Sequence, residues 1–123
     1  MNLEKYFDST PGTGVFSTAD ANGRVNAAVY SKPYVIDENT VAFLMAERLS
    51  HQNLQSNPNA HFLFIEEGRG WKGKRLYLKK VREESNTELA RSLVRRSNVN
   101  PENIDINLVY FHLEKVLPLT GEE

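Results

Sequence analysis

The feature that most constrains the fold is a short polar stretch between two apolar runs of strand length. The runs are residues 41–46 and 60–65, and the polar stretch between them is residues 48–58. Ser50 is of a residue type that caps helix N-termini, and the Asn57-Pro58 pair disfavours continuation of a helix. We therefore predict one short helix between two strands, with its N-cap at Ser50.

The start of this predicted helix is a candidate anion site. A helix N-terminus carries unpaired N–H groups and the positive end of the helix dipole, which together favour phosphate. Arg48 lies just before it and adds donors that suit a phosphate. His51 lies in the same turn, where it could donate to a phosphate oxygen or be solvated. The same pattern is also typical of an ordinary solvated helix start.

Composition sets the class of protein. With 123 residues, we expect a single domain over 1–123. A formal net charge of −1 argues against a nucleic-acid binder, and the lack of cysteine excludes disulfides and thiolate metal sites. No apolar run is long enough to span a membrane, and the N-terminus does not resemble a signal peptide. We therefore expect a cytoplasmic protein that binds neither nucleic acid nor membrane.

Strands dominate the rest of the chain. Asn22-Gly23 predicts a hairpin between strands at 15–19 and 24–30, and the longest extent of the second strand is past Pro33 to residue 36. Further strands are predicted at 40–48, 60–66, 75–83 and 104–117, with helices at 3–8 and 87–97, the latter capped by Ser85 or Asn86. About six strands without regular helix alternation predict a mainly β fold, an antiparallel barrel or sandwich with short helices at its ends.

The glycine-rich segment 68–73 matches the dinucleotide pattern G-x-G-x-x-G. A strand follows it where the nucleotide-binding motif requires a helix, so that interpretation fails its structural context. A hairpin loop is the simpler interpretation. In the alternative, Trp71 and Lys72 reach toward a planar anionic ligand.

No catalytic constellation is visible. The three histidines lack metal-ligand spacing, and His61 and His112 fall in strands, where structural roles are expected. The adjacent pairs Glu66-Glu67 and Glu83-Glu84 would point to opposite faces of a strand, so we interpret them as solvated charges.

The strand at 26–31 is the second feature of functional interest. Ala27 and Ala28 are small enough for a ligand to lie against the backbone, with Asn26 and Tyr30 nearby. Close packing of another strand would explain the alanines equally well.

Together these features resemble the pyridoxamine 5′-phosphate oxidase-like, FMN-binding split-barrel superfamily, in particular its small FMN-binding proteins. The resemblance rests on the Asn-Gly hairpin leading into residues 24–29, and on the polar helix containing Asn53-Leu54-x-x-Asn57-Pro58 between two apolar strands. It covers residues 15–117. It implies a six-stranded antiparallel Greek-key split barrel that forms a homodimer, with FMN at the subunit interface.

The resemblance also implies where FMN would bind. The phosphate would lie at the strand-to-helix turn and the ring along two strands, which gives this set of cofactor-binding residues: Asn26, Ala27, Ala28, Val29, Met45, Ala46, Glu47, Arg48, Ser50, His51, Gln52, Asn53, Trp71 and Lys72. Many relatives have a lysine or arginine where this chain has Ser50. Arg48 and a lysine at 72 or 74 would then supply the positive charge.

The functional prediction is a small FMN-binding flavoprotein, an electron carrier or a flavin-dependent reductase, with a small-molecule or protein redox partner. The flavin would carry the redox chemistry, which explains the lack of protein acid–base groups. The chain lacks a C-terminal Arg-x-His segment, so pyridoxamine phosphate oxidase activity itself is not expected. The alternatives are an F420-binding oxidoreductase, with a basic groove built from residues 72–80, and a non-catalytic ligand- or protein-binding barrel that has lost its flavin.

Overall fold

A computed structural model describes residues 2–46, 48–96 and 106–121. Ten elements follow one another in these ranges: α1 (Leu3–Ser9), β1 (Gly12–Ala19), β2 (Val25–Tyr30), β3 (Tyr34–Asp37), β4 (Thr40–Ala46), α2 (Leu49–Ser56), β5 (Asn59–Glu66), β6 (Gly73–Ser85), α3 (Glu88–Arg96) and β7 (Ile106–Pro118). The mainly β prediction is confirmed. None of the described helices has the length and apolar character needed to cross a membrane.

The predicted hairpin at Asn22-Gly23 is present between β1 and β2. Ala19 pairs with Val25, and the Gly23 N–H donates to the Asp20 carbonyl oxygen over 3.0 Å. Gly23 has a φ of 84°, which a residue with a side chain rarely adopts. The glycine therefore allows the tight return of the chain.

All described strands belong to one antiparallel sheet, in the order β2-β1-β5-β6-β7-β4-β3. The prediction of six strands is wrong, because residues 24–36 form two strands. Residues 31–33 separate β2 from β3, and Pro33 has no N–H for a strand ladder. Within the described residues the edge strands β2 and β3 do not pair with each other, so the barrel is open.

The connection between the edge strands is short. Only three residues join the end of β2 to the start of β3, although the strands lie at opposite edges of the sheet. Four residue steps reach at most about 14 Å. The sheet must therefore curl until its edges nearly meet, which leaves a gap between them.

Phenylalanines fill the inside of the curled sheet. Phe16, Phe43, Phe62, Phe64 and Phe111 are fully buried there. Leu3 and Phe7 of α1 join the same cluster. The predicted N-terminal helix therefore closes part of the core.

The helix α3 covers a smaller apolar cluster on the outside of the sheet. Ala90 and Leu93 pack with residues of β7, whereas Leu89 is half exposed. The Thr87 hydroxyl accepts from the Ala90 N–H over 3.2 Å, so Thr87 acts as the cap instead of Ser85 or Asn86.

Candidate functional site

A cleft of about 380 Å³ lies in the gap between the two edges of the sheet. The end of β2 forms one wall, and β4 with the start of β3 forms the other. The lining residues are Val29, Tyr30, Ser31, Lys32, Tyr34, Phe43, Leu44, Ala46 and Arg48. The cleft thus adjoins both strands along which the sequence places a flavin ring, and it includes the predicted residues Val29, Ala46 and Arg48.

The helix α2 begins one residue after Arg48. Arg48 is the N-cap, its side chain makes no capping hydrogen bond, and it is exposed. The prediction that Ser50 caps the helix is wrong. Ser50 is the second helical residue, and only 3% of its surface is exposed. The first N–H groups of a helix have no acceptor within it, so the start of α2 offers donors beside an exposed guanidinium.

The Ser50 hydroxyl faces the barrel instead of the solvent. It accepts a long hydrogen bond of 3.4 Å from Asn26 Nδ2 on β2. Tyr30 also hydrogen-bonds Ser50; burial raises the pKa of Tyr30, while this bond and the charge of Arg48 oppose the rise. Ser50 therefore links the helix start to β2, and its oxygen does not point outward.

Asn53 is also buried. Its Nδ2 donates to Thr18 Oγ1 on β1 over 3.0 Å, so its side chain is committed to the sheet. Thr18 is a residue that the sequence analysis missed. Only the hairpin register, which places Asn26 opposite Thr18, could have drawn attention to it.

His51 is buried against β6. Its Nε2 lies 2.9 Å from Glu83 Oε2, and Glu83 also accepts hydrogen bonds from Lys80 and Gln55. Burial alone would raise the pKa of Glu83, but these hydrogen bonds outweigh it and lower the pKa to about 2. The interpretation of Glu83 as a solvated charge is therefore wrong. The curvature of the sheet, which sequence patterns do not reveal, brings it under α2.

The neighbouring Glu84 points away from α2. It accepts from Arg82 Nη1 over 2.9 Å and from the hydroxyls of Thr87 and Tyr110. The hydrogen bond with Arg82 is the main cause of the lowered pKa of Glu84. The two glutamates thus have separate sets of partners, as alternation along a strand requires.

The other two histidines lie on the sheet, as expected. His61 is partly buried with its ring edge-on to Tyr77, and burial together with the charge of Arg75 lowers its pKa. His112 is exposed, so the expected structural role is wrong for this residue. No group of three or more metal-ligating side chains occurs in the part of the chain that the structure describes.

The remaining predicted site residues are spread over different surfaces. Asn26 and Ala28 are partly covered, Ala27 and Val29 are exposed, and Gln52 lies on the exposed side of α2. Met45 is buried in the core, so only its backbone could meet a ligand. Glu47 lies outside the described residues.

Within one chain, Trp71 and Lys72 lie far from Asn53. They belong to the loop that follows β5, and the last residue of β5 pairs with Gly12. Asn53 contacts Thr18, six residues further along β1. Six residues of strand span about 20 Å. The segment is followed by β6 and not by a helix, so the dinucleotide-binding interpretation stays excluded. Trp71 is 73% exposed and has a φ of 49°, unusual for a bulky residue.

Comparisons with known proteins agree with this architecture. An FMN-binding protein from Syntrophomonas wolfei subsp. wolfei superposes with a TM-score of 0.79 at 21% identity, over 98% of this chain and 85% of that chain. An F420 reductase gives a TM-score of 0.74 at 12% identity, over 95% and 98% of the two chains.

The heme storage protein HutZ from Vibrio cholerae is a further structural relative. It superposes with a TM-score of 0.61 at 23% identity, over 95% of this chain and 94% of that chain. No protein-family model and no curated protein sequence matches the chain. At these identities the likeness establishes the fold, so the split-barrel resemblance seen in the sequence is confirmed at that level.

Proposed function

We propose that this protein binds FMN in the cleft between the sheet edges and acts as an electron carrier or a flavin-dependent reductase. The observation that carries the proposal is the position of Arg48. It lines the cleft and is also the N-cap of α2, so one residue connects a slot for a ring to the positive end of a helix dipole, which favours an anion. The FMN-binding relative with the same fold supports this choice of ligand.

The residues present fit FMN by their chemistry. Phe43, Leu44 and Tyr34 give the cleft apolar and aromatic surface for a ring, and Arg48 supplies the charge for a phosphate. The N–H groups of Leu49 and Ser50, in the first turn of α2, would share the phosphate with Arg48. Bound flavin would supply the hydride or electron transfer. The protein would hold the ring between its strands and exclude water from the face that lies against the sheet.

The proposal includes a homodimer with the cofactor at the subunit interface. Support comes from the outer face of β2, where Val25 and Val29 are 79% and 75% exposed and flank the exposed Ala27. Apolar residues grouped on an edge strand are typical of an interface. In such a dimer Trp71 and Lys72 would reach the cleft of the partner subunit.

The F420 alternative has less support. The basic groove expected at residues 72–80 requires free cations, but Lys74 lies over the Tyr6 ring and Lys80 pairs with Glu83. Arg75 Nε donates to the Pro118 carbonyl oxygen over 2.7 Å. Because an F420 reductase has a similar fold, F420 is included in the binding test as an alternative ligand.

A binding titration tests the proposal. Quenching of FMN fluorescence by the purified protein is expected, with weaker binding of riboflavin, which lacks the phosphate. Arg48→Gln should weaken FMN binding about 10- to 100-fold, the equivalent of one charge-assisted hydrogen bond of roughly 1.5–3 kcal/mol, and leave riboflavin binding unchanged.

Arg82→Gln is the matched control, because Arg82 is an exposed arginine on β6 whose partners Glu84 and Tyr110 do not line the cleft. It should leave both affinities unchanged. Folded wild-type protein that binds no FMN would refute the proposal. Binding of F420 or of heme instead would identify the alternative cofactor, and binding of none would favour the non-catalytic barrel.

A further inference from the structure

Lys32 lies in the three-residue connection between β2 and β3, and it lines the cleft. The residue is half-buried. Its Nζ donates to the Phe7 carbonyl oxygen of α1 over 2.7 Å and lies 5.9 Å from the centre of the Phe64 ring. These contacts hold the charged group of Lys32 at the end of the cleft that adjoins α1.

The charge of Lys32 lacks a full counter-charge in the described part of the chain. None of the ion pairs between described residues includes Lys32. The Phe7 carbonyl is one of the last four of α1, so it offers a free lone pair but only a partial negative charge. A half-buried ammonium without a counter-charge is costly, and an anionic group in the cleft would offset that cost.

The cleft has a cation toward each end. Arg48 begins α2, whereas Lys32 contacts the last turn of α1. Strand β1 separates the two ends, because Thr18 contacts α2 and Gly14 pairs with Phe64, against which α1 packs. Four residues of strand span about 13 Å. Lys32 and Arg48 are the only charged residues among the described residues that line the cleft.

Reduced FMN carries negative charge at two places that are well separated. The phosphate is charged in both redox states. When the ring takes up two electrons from a donor and one proton at N5, a negative charge remains on its pyrimidine edge, shared by N1 and the C2 oxygen. The opposite, dimethylbenzene edge stays apolar. A cation beside the pyrimidine edge therefore favours the reduced form.

We propose that Lys32 binds the pyrimidine edge of the flavin ring, so that the protein holds reduced FMN more tightly than oxidised FMN. This inference rests on the proposed function, in which Arg48 binds the phosphate. Arg48 cannot produce the same preference through the phosphate, because the phosphate charge does not change on reduction. Tighter binding of the reduced form raises the reduction potential, so the bound flavin would accept electrons more readily than free FMN does.

The test measures the affinity of the protein for both redox forms of FMN, without oxygen and with dithionite as the reductant. Wild-type protein should bind reduced FMN about tenfold more tightly than oxidised FMN, which raises the potential of this two-electron couple by about 30 mV. Lys32→Gln keeps an N–H donor for the Phe7 carbonyl but removes the charge, so it should abolish the preference. Lys32→Arg keeps the charge and should retain the preference.

Lys5→Gln is the matched control, because Lys5 is an exposed lysine of α1 that does not line the cleft. It should leave both affinities unchanged. Urea unfolding of the ligand-free variants detects a purely structural role. If Lys32 only caps α1, Lys32→Gln lowers stability or weakens both redox forms equally, and the unchanged ratio of affinities refutes the proposal.

The outcomes separate the two proposals. Folded wild-type protein that binds neither form of FMN refutes the proposed function, and this inference with it. FMN that is bound without a preference for the reduced form, or with a preference that survives in Lys32→Gln, refutes the role of Lys32 alone. If Lys32→Gln does not fold, the wild-type ratio and the loss or retention of the preference in Lys32→Arg decide the matter.

Discussion

A buried amide side chain stabilises a protein only when its donors and acceptors are paired. The Nδ2 of Asn53 is paired with Thr18 Oγ1, and this bond joins the middle of α2 to the end of β1. In the described part of the chain, every buried side-chain nitrogen and oxygen has a partner. Removal of one member of such a pair leaves the other unsatisfied, which costs more than the bond itself contributes.

Asn53→Ala should therefore destabilise the fold by roughly 1–3 kcal/mol, because the Thr18 hydroxyl loses its partner in a buried site. Urea unfolding followed by circular dichroism measures the change. Gln52→Ala, at the adjacent exposed position, should stay within about 0.5 kcal/mol of wild type. Equal effects of the two substitutions would contradict the buried pairing of Asn53.

At this scale the sequence reveals residue types but not their directions. Ser50, His51 and Asn53 form a polar cluster that could face either solvent or sheet, and the structure turns all three inward. The helix begins at Leu49 instead of after Ser50, so Ser50 lies within the first turn and not at the N-cap. The partners Thr18 and Glu83 are distant in sequence, so no local pattern could identify them.

Among the elements, α1 shows how a short helix completes the core of an open barrel. Asn2 Oδ1 accepts from the Lys5 N–H over 3.0 Å and caps the helix. Phe7 then meets the rings of Phe62 and Phe64 edge-on, and Tyr6 donates to Glu66 Oε2 over 2.6 Å. The seven-residue helix α1 is therefore stabilised by its contacts with the strands that it covers.

Phe7→Ala should cost about 3–5 kcal/mol, since it opens a cavity beside two fully buried phenylalanines. Chemical denaturation is the measurement, and Lys5→Ala on the exposed side of the same helix is the control. A loss below about 1 kcal/mol would mean that α1 does not contribute to the core.

The sequence identifies most elements because apolar periodicity and turn residues are local. The β1–β2 hairpin, α1, α2, β5 and β6 follow from such patterns. The separation of β2 from β3 at Pro33 is harder to predict, because the residues on both sides favour a strand. Only the tertiary structure places the two strands at opposite edges of the sheet. The predicted start of the last strand at residue 104 falls outside the described residues.

For the whole molecule, the main question is what covers the outer face of β2. Val25 and Val29 are more exposed than most of the described apolar residues, and Val29 lines the cleft. The proposed dimer would bury them and bring the partner's Trp71 loop toward the ring. The mainly β fold could be predicted from sequence patterns, whereas the homodimer is expected only from the resemblance, because contact with a second chain leaves no periodic pattern.

The double substitution Val25→Lys/Val29→Lys should convert the proposed dimer into a monomer, because four lysines would meet at the interface. Analytical ultracentrifugation measures the mass, and FMN affinity should fall in parallel. Val81→Lys changes an exposed valine on β6 and should leave the mass unchanged. Wild-type protein that sediments as a monomer would rule out the dimer.

The position of β7 has a consequence for synthesis of the protein. This strand lies between β6 and β4, so it joins the four strands β2-β1-β5-β6 to the pair β4-β3. It is also the last described strand to leave the ribosome. Until residues 106–112 have left the ribosome, β4 has an unpaired edge along its apolar residues, and the nascent chain cannot complete its sheet.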